Sequence, residues 1–126
     1  MTTAEKQFQG MVVYNLPDPR LEDIGYFTDS EFGEEELGEL KKKGVEVVFY
    51  WYSTGNDEGA GQVLFLRRGK WYLHDAGHCS CYGPLDQLYD CGEGYSSLGE
   101  IESVLSQEYL GEVKHLIKTA LHKGYT

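Results

Sequence analysis

Long hydrophobic runs are missing from this chain of 126 residues. No apolar stretch approaches the ~20 residues a helix needs to cross a bilayer. The first ten residues, MTTAEKQFQG, also lack the apolar segment of a signal peptide. A soluble, cytoplasmic protein is therefore expected. Cysteine is scarce as well: three residues, an odd number, suit a reducing compartment better than a secreted disulfide framework. Positive charge is the third shortage. Eleven Lys and Arg stand against twenty-one Asp and Glu, a formal net charge of −10. Direct nucleic-acid binding and attachment to an anionic membrane are disfavoured, because both need a basic patch. A partner with a basic surface is favoured instead, although acidity by itself also serves solubility.

Aromatic residues are plentiful, ten of them Tyr, and they argue for a folded protein with a core. The length suits one domain spanning 1–126. The acidity is uneven. DPRLEDIGYFTDSEFGEEELGE, residues 18–39, holds nine carboxylates and one Arg, and KKK follows at 41–43. The capping-box spacing of Thr28 and Glu31 predicts a helix from about Ser30 to Lys43, with Gly44 as its stop. Acids in its first turns and lysines in its last suit the helix dipole.

VEVVFYWYST, residues 45–54, is rich in β-branched and aromatic residues and predicts the principal strand. QVLFLRR and KWYLHD predict two more, joined by the tight turn RGK, and MVVYNL an added edge strand. GNDEGAG, residues 55–61, predicts a hairpin loop. Its Asp57 and Glu58, and the absence of a Lys, disfavour phosphate binding there, and two acids are too few to indicate calcium. Beyond Ser97 and Glu100, a second capping-box pair, apolar residues recur at threes and fours from Leu98 to Leu121. That pattern predicts a long helix over 98–123, with Gly111 a candidate break, whose stripe packs on the sheet or forms a dimer seam. The expected architecture is α+β: a small antiparallel meander covered by a long C-terminal helix, with an acidic helical segment before the sheet.

LHDAGHCSCYGPLDQLYDC, residues 73–91, contains every cysteine. A zinc site could draw on His74, His78, Cys81 and Cys91, although none of the pairs has the two-residue thiolate spacing of a zinc ribbon. A thiol enzyme could use Cys79 or Cys81 as nucleophile, His78 or His74 as base and Asp75 to orient it. The plain alternative is a crowded turn in which small thiols act as weakly polar hydrophobes.

Residues 45–84, above all GHCSCYG, resemble short uncharacterised proteins of phages and bacterial mobile elements. The resemblance implies no catalytic residue, cofactor or substrate. It implies a small accessory protein that acts on host machinery, in the host cytoplasm if phage-encoded. The leading expectation is thus a non-enzymatic interaction protein that inhibits or modulates a host nucleic-acid-handling or defence complex. Asp23, Asp29, Glu31, Glu34, Glu35, Glu36 and Glu39 would supply the field, and Phe27, Phe32 or Leu37 the apolar anchors. No cofactor is expected, zinc being the one candidate. The alternatives are a thiol-dependent hydrolase or transferase centred on the HCSC turn, and a binder that sequesters a small signalling nucleotide. The latter would use Arg67, Arg68 and tyrosines, as a homodimer through the C-terminal helix.

Overall fold

The computed structural model describes residues 4–19, 28–55, 58–76 and 94–126. In chain order its elements are β1 (Ala4–Phe8), β2 (Met11–Leu16), β3 (Thr28–Asp29), α1 (Glu34–Lys42), β4 (Val45–Gly55), β5 (Glu58–Arg67), β6 (Lys70–Asp75), α2 (Leu98–Val104) and α3 (Gln107–His122). The fold is α+β, with a mostly antiparallel sheet of order β1-β2-β4-β5-β6. β3 pairs with the upper end of β4, beyond the end of β2.

β4 explains why its sequence reads as an almost unbroken apolar run. Helices cover both faces of the sheet, so neither side of the strand meets water. Val48, Tyr50 and Tyr52 face α1 with Val63, Phe65 and Tyr72, and Leu37 and Leu40 close that layer from the helix. Val47, Phe49 and Trp51 face the other way with Leu64 and Trp71, beneath Ile101 of α2 and Val113, Leu116, Ile117 and Ala120 of α3. Trp71 and Tyr72 therefore fall on opposite faces, as the alternation of a strand requires.

The meander β4-β5-β6 follows the sequence expectation, with two differences. GNDEGAG is not all loop: residues 59–61 already pair with Thr54, Ser53 and Tyr52. Gly61 permits this, since a Cβ there would collide with the Trp51 carbonyl oxygen. The β5–β6 turn has positive φ at both Arg68 (53°) and Gly69 (80°), the signature of a type I′ hairpin.

MVVYNL is not an edge strand. β2 lies between β1 and β4 and runs parallel to β4, with Val12 opposite Val47 and Leu16 opposite Trp51. β1, which carries no alternating apolar pattern, is the edge.

Both helical expectations need correction. α1 begins at Glu34, capped by Gly33 with no side-chain hydrogen bond, rather than near Ser30. Sheet pairing takes the place of the expected cap: Thr28 and Asp29 pair with β4, and Ser30 N–H donates to the Tyr52 oxygen at 2.8 Å. The C-terminal helix is two helices, and the break is not at Gly111, which lies inside α3. Leu105 and Ser106 are extended, and the Ser106 hydroxyl accepts the Tyr109 N–H at 3.3 Å to start a new helix. The Ser97 cap stands as expected, accepting from Glu100 N–H at 3.1 Å. Val104 and Leu121, both counted in the apolar stripe, are exposed. Among the described residues no helix is long and apolar enough to cross a membrane.

Candidate functional site

The carboxylates of the acidic segment gather at the start of α1. Glu31, Glu34, Glu35 and Glu39 are exposed and Glu36 is half-buried. Glu34, Glu35 and Glu36 occupy the first helical turn, where the unpaired N–H groups favour negative charge. Among the described residues, the only ion pair these acids make is Glu39 with Lys42 at 3.7 Å. Asp23 lies outside the described residues; Asp29 is placed in β3 by its backbone.

The field of this shoulder is felt in the core beneath it. Burial pushes the Tyr50 phenol up to about 12; the Phe32 N–H bond opposes this, while the charges of Glu31 and Glu36 add to it. Tyr52 is raised as well, by burial and then by Glu36.

The expected apolar anchors are elsewhere. Phe32 and Leu37 are buried in the core, with Phe32 stacked on Tyr50, so neither is offered to a partner. Phe27 lies outside the described residues. Among the described residues, the shoulder is thus a charged surface without a hydrophobic centre of its own.

Beside it is a pocket of about 120 Å³ lined by Glu5, Lys6, Val13, Asn15, Glu31 and Tyr50. Glu5 stands opposite Tyr14 in the β1–β2 register, and its charge acts on the Tyr14 phenol on the other face of the sheet. The polar side chains that remain, Lys6, Asn15, Glu31 and the Tyr50 hydroxyl, mix one cation with one anion. They do not form a metal cradle.

The cysteine-rich stretch is divided at its base. His74 and Asp75 fall on opposite faces of β6: the His74 ring stacks on Phe65, with centroids 5.9 Å apart, toward the α1 layer. Asp75 accepts from the Tyr109 hydroxyl of α3 at 3.0 Å and from Gln62 Nε2 at 3.5 Å. The two side chains thus leave the strand in opposite directions. Cys79, Cys81, Cys91 and His78, the proposed nucleophiles, base and zinc ligands, lie outside the described residues. Among the described residues no three His, Cys, Asp or Glu side chains gather as metal ligands.

Sequence reasoning missed the Tyr109–Asp75–Gln62 chain, because 34 residues separate the phenol from its acceptor and no local pattern announces the contact. It also missed His115, whose ring Nε2 lies 3.1 Å from the Pro17 oxygen and ties α3 to the end of β2. Burial lowers the His115 pKa, against the Pro17 hydrogen bond and the Asp18 charge, both of which raise it. No protein family, curated protein or solved structure matches this chain.

Proposed function

We propose that this is an interaction protein whose acidic shoulder at the start of α1 docks on a basic surface of a partner protein. One observation carries the reading: Glu31, Glu34 and Glu35 are exposed on one shoulder without a counter-ion among the described residues. With Phe32 and Leu37 committed to the core, the attraction offered by the described residues is mainly electrostatic. Such binding associates fast and weakens steeply with salt. The resemblance to phage and mobile-element proteins supplies the context, in which the partner is a host nucleic-acid-handling or defence complex whose basic groove accepts carboxylates in place of phosphates.

The test compares immobilised wild type with the Glu34→Lys/Glu35→Lys/Glu36→Lys variant against host extract at about 0.1 M salt, within the range where a Debye length of ~10 Å leaves surface charges effective. A control reverses Glu100 and Glu102 on α2, both exposed and on a different element. The expected result is a basic partner held by wild type and control, released by salt and lost from the triple variant. A partner retained equally by the triple variant overturns the reading.

A further inference from the structure

The other end of the sheet carries the opposite charge. Three separate segments converge there: the last turn of α1 with Lys41, Lys42 and Lys43, and the β5–β6 hairpin with Arg67, Arg68 and Lys70, beside the β1–β2 turn. Arg67 Nε donates to the Lys43 oxygen at 2.6 Å, tying hairpin to helix end. Arg68 Nε lies next to Gly44, and Lys41 Nζ lies next to Gly10. Six of the eleven Lys and Arg of the chain are therefore at one end.

Arg67 is the built part of this surface. Its guanidinium is half-buried, held at Nε by the Lys43 carbonyl and over the Tyr72 ring at 5.8 Å. Among the described residues it makes no ion pair, and no hydrogen bond there engages its terminal nitrogens, the pair that matches two oxygens of a phosphate. The helix end does not repel an anion as a bare C-terminus would. The Glu39, Leu40 and Lys41 carbonyls accept from Lys43 and Gly44 N–H groups, and the Lys43 carbonyl accepts from Arg67.

The acidic shoulder and this end are the two ends of one helix: Glu34–Glu36 open α1 and Lys41 and Lys42 close it, about 10 Å apart at ~1.5 Å per residue, little more than one Debye length at physiological ionic strength. The long-range fields therefore partly offset, and an anion is held here by direct contact with Arg67 and its neighbours. The patch is small, however: Glu39 pairs with Lys42 at its helical border, and Glu46 is exposed at the start of β4. A long polyanion would run onto these carboxylates, whereas a compact one would not.

We infer that this basic end binds a short phosphate chain, as found in a nucleoside di- or triphosphate or in inorganic polyphosphate, with Arg67 gripping it bidentately and Arg68, Lys43 and Lys70 around it. The acidic shoulder and its partner play no part in this site.

The experiment titrates the whole protein with tripolyphosphate, ATP, adenosine and a 12-nucleotide single strand, read by calorimetry and by amide NMR shifts. Tripolyphosphate and ATP are expected to bind, with shifts confined to residues 41–46 and 66–71, and adenosine is not. ATP binding well above tripolyphosphate identifies a nucleotide as the source; equal binding identifies the phosphate chain alone. Arg67→Gln is expected to weaken binding about tenfold, the scale of one charged hydrogen-bonding group. Arg68→Gln/Lys70→Gln, altered at two exposed positions that the fold does not need, weakens it similarly. No binding by either phosphate probe, or binding unchanged in the double variant, overturns the inference. So does binding of the oligonucleotide when tripolyphosphate fails.

Discussion

The Phe32 ring lies flat on Tyr50, centroids 4.0 Å apart and planes 5° from parallel, while the Phe32 N–H donates to the Tyr50 hydroxyl at 3.0 Å. The two residues thus clamp the segment before α1 onto β4 by ring and backbone together. Tyr50→Phe keeps the stack and leaves a buried N–H unsatisfied. It is expected to cost about 1–3 kcal/mol in urea unfolding. Phe32→Ala loses the ring as well, and about 3–5 kcal/mol is expected.

Tyr50 also sets an alkaline limit. Its folded pKa, about 12, lies above the ordinary 10.0. The unfolded chain therefore gives up this proton first as pH rises. The stability linked to Tyr50 is complete below pH 10 and is lost as pH climbs toward 12. Titration by phenolate absorbance alongside circular dichroism should show one phenol ionising with unfolding in that window. In Tyr50→Phe this linked component disappears.

His115 sets the opposite limit. Its pKa is lowered from 6.5, chiefly by burial, so the unfolded state takes the proton first as pH falls. Stability linked to His115 is present above pH 6.5 and is lost below it. His115→Gln should unfold with a flatter dependence on pH across this acid range than wild type, measured by urea midpoints at each pH.

Two glycines should answer in opposite directions. Gly61→Ala places a methyl group on the Trp51 carbonyl and is expected to prevent folding or greatly reduce soluble yield. Gly111 sits exposed in α3 with no atom within 4 Å of an added methyl. Gly111→Ala should stabilise by about 0.5–1 kcal/mol, the helix-propensity difference.

What could be read beforehand was local. Ser97 and Glu100 announced a cap because both partners lie within one turn. The β4-β5-β6 meander was legible because its turns are short and its strands are rich in β-branched and aromatic residues. The parallel pairing of Val12 with Val47 was not, since it depends on a crossover that leaves no periodic trace. α1 starts later than its capping-box spacing suggests because Thr28 has two uses, as a cap and as a strand residue, and pairing with Thr54 prevails. The candidate surfaces divide in the same way. The exposed acids of α1 are contiguous in sequence and were visible. The basic end joins residues 41–43 to 67–70 through Arg67 and Lys43, and only folding brings them together.

The parallel seam between β2 and β4 has a consequence for how the molecule assembles. The β4–β5 and β5–β6 hairpins pair residues only three apart in sequence at their closed ends and can zip directly, whereas β2 must find β4 across residues 17–44. The meander is therefore expected to mature early, with the β1–β2 hairpin arriving last. By the same order it would be the first to peel away under load. A pulse of deuterium during refolding should find amides of 62–75 protected before those of 11–16. The strand that reads most plainly as core would then complete one of its two edges only at the end.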